Sequence, residues 1–138
     1  MSESHLRIVA VPAQVPIACD FVAAAAVTAG LDDNGVYHCQ LAVDEACTNI
    51  IEHGYQMRGE NQVIDIICQT EIRQFIISIL DDGPAFNPLR QSTPDPTTPL
   101  EQRSSGGWGI HFIRQFMDDV QYFHHNQRNC LVLVKRLQ

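Results

Sequence analysis

Residues 61–82, NQVIDIICQTEIRQFIISILDD, form two runs dense in Ile and Val with TEIR between them. β-Branched residues on either side of a short polar turn predict an antiparallel pair of strands, so the rest of the chain has to be organised around a sheet. Ahead of the pair, LRIVAV (6–11) reads as a first strand, closed by Pro12 and Pro16. An alanine-rich helix over 17–29 follows, with Gly30 at its C-terminal stop. A second helix is capped among Asp32, Asp33 and Asn34 and is expected to run to Gly54. After Asp82 the composition changes: residues 83–107 hold five prolines, Pro84, Pro88, Pro94, Pro96 and Pro99. What remains beyond them is a helix from Trp108 to Met117 and two strands, DVQYFHH and CLVLVKRL. That is too little for an independent core. The proline-rich stretch therefore reads as a long loop inside a single domain spanning 1–138, and such loops are commonly lids or binding loops.

Composition excludes several classes. A formal charge of −7 and the lack of any basic cluster argue against nucleic acid as a direct partner. Five scattered cysteines (19, 39, 47, 68 and 130) contain no CxxC pair and read as free thiols. Of the six histidines only His124 and His125 are adjacent, and neighbours on a strand face opposite ways, which disfavours a histidine metal site. No run reads as a membrane span, and the first residues lack a signal-peptide core, so the expected location is cytoplasmic, without membrane attachment.

The second predicted helix contains LAVDEACTNIIEHGY (41–55), apolar enough for a core yet carrying Glu45, Asn49 and His53 four apart. At about 100° per residue these share one face. Taken alone, such a stripe is also what a solvated helix face shows. LDDGPAF ends a strand in Asp81, two residues before Gly83. A carboxylate there could accept a hydrogen bond from an exocyclic amine such as adenine's, and it could equally be an Asp-Gly turn. SSGGWGIHFI sets Gly106, Gly107 and Gly109 directly before a helix, where backbone N–H groups can meet phosphate, although a glycine-rich hinge has the same composition.

In this order the three segments resemble the histidine-kinase-like ATPase superfamily, which includes gyrase, a heat-shock chaperone class and the sensor histidine kinases. More narrowly, VDEACTNIIEHGY, DDGPAFNP and GGWGIHFIRQFMDDVQY look like the serine-kinase anti-sigma factors of bacterial partner-switching systems. The resemblance implies a Bergerat fold. This is an α+β two-layer sandwich with a mixed, mostly antiparallel sheet, helices on one face and a flexible ATP lid at about 83–107. It implies ATP and Mg²⁺ as cofactors, with Asn49 as the metal ligand and Glu45 as the general base. Asp81 would read the adenine amine, Gly83 would let the backbone pass close to the base, and Gly107 and Gly109 would shape the phosphate loop. Arg103 would face the γ-phosphate, and His53 matches a pattern position near the phosphates. Ala85 stands where a second glycine is common. Cys130 stands where relatives commonly place a threonine supporting the aspartate, which implies weaker adenine affinity.

The function implied is a serine/threonine protein kinase and anti-sigma factor. It would phosphorylate an anti-anti-sigma (STAS-domain) partner, sequester a sigma factor and form a homodimer. The alternative is a binding module that uses ATP without transferring phosphate. Glu45 favours the kinase, since only phosphoryl transfer needs a base. A histidine-kinase catalytic domain is disfavoured, because no long helix carrying a phosphoacceptor histidine precedes the first strand.

Overall fold

The computed structural model describes residues 2–90 and 107–137. Five strands form one sheet: β1 (Ser2–Val9), β2 (Val63–Thr70), β3 (Gln74–Asp81), β4 (Asp119–His125) and β5 (Arg128–Arg136). Their spatial order is β1-β2-β3-β5-β4, and every neighbouring pair runs antiparallel. No parallel pairing, which a mixed sheet would require, occurs among the described strands. The predicted strand pair is present as β2 and β3, joined by residues 71–73.

Three helices, α1 (Val15–Ala29), α2 (Asp33–Asn49) and α3 (Gly107–Phe116), complete the two-layer α+β fold. Strict alternation assigns the faces of the sheet. Ile64, Ile66, Phe75, Ile77, Ile79, Leu131 and Leu133 are buried in one core with Val22 and Ala26 of α1 and Val43 and Ala46 of α2. The strand residues between them, such as Ile67, Ile76 and Leu80, are only half-buried. The stretch Pro12–Ala29 is long and apolar enough to match a membrane span by length and composition, where the sequence reading found no such run. In the fold it is accounted for by α1, whose Val15, Ala18, Val22 and Ala26 are buried in this core.

Local chemistry explains the boundaries. Gly30 ends α1 at φ 102°, the left-handed conformation that glycine adopts at least cost. The Asp32 carboxylate caps α2 by accepting the Gly35 N–H at 2.8 Å. The β4–β5 hairpin turns through Asn126 and Gln127, both left-handed at φ 51° and 62°. Two such residues make the tight turn whose twist matches the flanking strands, and this fixes the β4–β5 register in which His124 lies opposite Asn129; on its other side, in the β3–β5 pairing, Asn129 lies opposite Asp81. All five cysteines are free; Cys39, Cys47 and Cys68 are buried. Burial pushes the Cys39 and Cys68 thiols up to about 12, so they act as small apolar side chains.

One glycine is fixed by close approach. A Cβ on Gly59 would lie 2.2 Å from the Ala10 carbonyl oxygen and 2.8 Å from its Cβ. Gly59→Ala is therefore expected to lower the unfolding free energy by about 1–3 kcal/mol, measured by denaturant titration.

Candidate functional site

A pocket of about 430 Å³, counted to its open mouth, lies between α2, the first turn of α3 and the ends of β3 and β5. Ala46, Ile110 and Leu131 give it apolar walls, while Asn49, Asp81, Tyr122 and Asn129 supply the polar groups. Apolar walls with a few convergent polar groups suit a flat heterocycle.

Asp81, the last residue of β3, is 5 % exposed. Its Oδ1 accepts the Gly83 N–H at 2.9 Å and an Asn129 Nδ2–H at 3.0 Å. Burial pushes its pKa up, and the bonds from Asn129 and Gly83 oppose that rise. Gly83 fits closely, since a Cβ there would lie 3.0 Å from Asp81 Oδ1 and 3.4 Å from the Gly54 carbonyl oxygen and would press on that carboxylate. On the other face of the sheet Arg128 binds Asp82 and Asp65, each at 2.7 Å. The Tyr55 hydroxyl donates to the Val63 carbonyl at 2.9 Å and accepts the Asp82 N–H at 2.8 Å. The turn after β3 is thus held from three sides.

Asn49 ends the α-helical part of α2. It is 8 % exposed, and its Nδ2 is buried without a hydrogen-bond partner. An orphaned buried amide costs about 1–3 kcal/mol. Its side chain borders the pocket, and the amide oxygen and nitrogen are exchangeable by rotation. A single neutral oxygen donor at the pocket wall suits Mg²⁺, which keeps most of its shell as water and phosphate oxygens.

Directly after Asn49 the helix widens into a π-turn, Ile50–Gly54, closed by the Tyr55 N–H on the Ile50 carbonyl at 2.8 Å. The extra residue per turn corrects the expectation for His53. Gly54, five residues after Asn49, comes round to the pocket instead, and His53 is exposed with its ring 3.9 Å from the Glu52 carboxylate.

Glu45 is half-buried on α2. At about 100° per residue, Asn49 and Ala46 face the pocket, while Asp44 and Thr48 face a second, wider groove of about 900 Å³, counted the same way, between α1 and α2. Glu45 stands on the ridge between the two. Burial, then the Asp44 and Glu52 charges, raise its pKa.

Three expectations need correction or closer placement. Ala85 is exposed and does not line the pocket; Phe86 and Pro88 do. Cys130 is not the support of Asp81. Its register partner is Leu80, and its side chain lies on the far face of the sheet; Asn129, one residue earlier, pairs with Asp81. Gly107 and Gly109 fall inside the first turn of α3 rather than ahead of it, with Ile110 of the same turn at the pocket wall. Arg103, Gly106 and most of the expected lid lie outside the described residues. Sequence reasoning missed Asn129 and Tyr122. The signal for Asn129 was available, since it is a polar residue in phase with the buried Leu131 and Leu133 of its strand.

The family described as histidine kinase-like ATPase domain matches residues 8–135. The chain belongs to that family. Among curated relatives, this histidine kinase-like ATPase domain is 30% identical over 104 residues to proteins named serine-protein kinase RsbW in Bacillus cereus (strain AH820), Bacillus anthracis (strain A0248) and Bacillus thuringiensis (strain Al Hakam). Each match covers 72% of this chain and 62% of the relative, so the matched segment spans less than two thirds of those proteins. The resemblance to the histidine kinase-like ATPase superfamily is borne out by the family match, and relatives named serine-protein kinase bear out the likeness to its serine-kinase members.

Proposed function

We propose that the chain is an ATP-dependent serine/threonine protein kinase of the partner-switching type, working in the cytoplasm. The observation that carries this is the position of Glu45 on the ridge between the pocket that Asn49 and Asp81 line and the wider groove between α1 and α2. Similarity to relatives named serine-protein kinase supports the same reading.

In this reading Asp81 accepts the exocyclic amine of adenine, with Ile110 and Leu131 against the base. Asn49 would hold Mg²⁺ through its side-chain oxygen. The ion, when bound, neutralises charge on the phosphates. The N-terminus of α3 would direct its free N–H groups at phosphate oxygens, and Arg103 would face the γ-phosphate. A serine or threonine hydroxyl of the partner, brought in over the groove, forms a bond to the γ-phosphorus while the bond to the bridging oxygen breaks. ADP leaves, and Glu45 takes the hydroxyl proton. The partner proposed is an anti-anti-sigma STAS-domain protein. When it is unavailable the kinase, as a homodimer, holds a sigma factor.

The test uses purified protein, γ-labelled MgATP and extract of the source cells. One small protein labelled on serine or threonine is the expected result. If the protein binds ATP and labels nothing, the kinase reading fails and a nucleotide-dependent binding module replaces it.

A further inference from the structure

The Asn129 amide is saturated at both ends. The two hydrogens of its Nδ2 are shared among three acceptors, Asp81 Oδ1 at 3.0 Å, the Gly83 carbonyl at 3.2 Å and the Pro84 carbonyl at 2.9 Å. Its Oδ1 accepts the Phe86 N–H at 3.2 Å and the Tyr122 hydroxyl. This fixes the orientation of the amide. The opposite rotamer would set the oxygen against a carboxylate and two carbonyls, and the nitrogen against two donors. Asn129 is 5 % exposed, so none of these bonds competes much with water.

We propose that Asn129 is the positioning residue of the nucleotide pocket: it holds Asp81 as an ionised, acceptor-only carboxylate with Oδ2 left for the base, and it anchors residues 83–86 to β5. A protonated Asp81 could donate from its own O–H and would no longer discriminate for an amine. Two donors on Oδ1, from Asn129 and Gly83, favour the charged form against burial. The other groups facing Asp81 do not replace them. Asp82 adds a like charge, and the Arg128 guanidinium is already shared between Asp82 and Asp65. The Tyr55 hydroxyl is committed to Val63 and Asp82, and the Tyr122 hydroxyl reaches Asp81 only through Asn129. The same amide joins base recognition to the start of the proline-rich segment. A ligand that shifts Asp81 is thereby felt at Gly83, Pro84 and Phe86.

The inference rests on the nucleotide reading for its purpose but not for its first test. The carboxyl resonance of Asp81 is followed by NMR against pH in the nucleotide-free protein, in the natural chain and in Asn129→Leu and Asn129→Thr. The leucine variant keeps the branched shape, though it is larger, and loses every donor; its Asp81 midpoint is expected above that of the natural protein. Threonine, with one hydroxyl donor, is expected to bring it part of the way back. MgADP affinity is then measured by calorimetry at pH 7.5 and at falling pH. We expect at least a tenfold loss in Asn129→Leu at pH 7.5, and a fall with acid that begins at higher pH than in the natural protein. An unchanged Asp81 midpoint in Asn129→Leu overturns the proposal. Should that variant fail to fold, Asn129→Thr carries the same decision: its midpoint must lie above that of the natural protein, or the proposal fails in the same way. If the natural protein binds no MgADP while the midpoints move as expected, the nucleotide reading fails and the role of Asn129 in holding Asp81 stands.

Discussion

Asp81→Asn is expected to weaken MgADP binding by about 100-fold or more while leaving the protein folded. The reasoning is one of donors and acceptors. In the natural protein Oδ1 is taken by Gly83 and Asn129, and Asp81 lines the pocket, so in the nucleotide reading Oδ2 would be the acceptor for the base. In the variant the amide oxygen keeps the two internal donors, because its nitrogen would otherwise face them. The NH₂ group then points at the exocyclic amine, donor against donor. Rejection by a buried mismatched polar group commonly reaches 10²-fold or more. Stability moves the other way. Burial raises the pKa of Asp81, so the folded state binds its proton more tightly than the unfolded chain does. Such a group stabilises the fold below its unfolded pKa and gives that contribution up as pH rises through the folded value. At neutral pH the charged carboxylate is therefore a cost, and the nucleotide-free variant should unfold at the same temperature as the natural protein or higher. Calorimetric binding and thermal unfolding on the same samples decide the matter. Lost binding together with a marked fall in melting temperature would show a structural carboxylate rather than a reader of the base.

The elements were legible because their periods differ. Alternating Ile in IDIICQ and QFIISIL gave β2 and β3, and the Asp32 cap and Gly30 stop gave the ends of α2 and α1. One residue from each of the three motif segments, Asn49, Asp81 and Ile110, lines the same pocket. What was not legible depends on single-residue shifts. A π-turn looks like α-helix in composition, yet one extra residue per turn exchanges His53 for Gly54 at the pocket. Along a strand one residue changes the face, so assigning the support of Asp81 to Cys130 placed it on the wrong side of the sheet. In the β3–β5 register it is Asn129 that lies opposite Asp81. Neither shift alters the fold, and both alter which side chain meets the ligand.

Glu45→Gln is expected to cut phosphoryl transfer by about 10²–10⁴-fold with MgADP affinity unchanged, because the side chain stands on the ridge beside the pocket rather than in its wall. The pH dependence identifies the role. A general base works only when ionised, so single-turnover rates should fall on the acid side through the pKa of Glu45. Burial is the main reason that this value is raised, and Asp44 and Glu52 add like charge. The raised value brings the acid limb towards neutral pH and makes the carboxylate a stronger base than a surface glutamate. Asp44→Asn and Glu52→Gln remove the two charges without touching the pocket. Each should move the acid limb to lower pH, and the larger share of the rise, from burial, should remain in the double variant. Both residues line the groove between α1 and α2 and so can also change partner affinity. The limb position at saturating partner is independent of that affinity. A limb that stays in place when both charges are removed, or one that survives in Glu45→Gln, assigns the proton to another group.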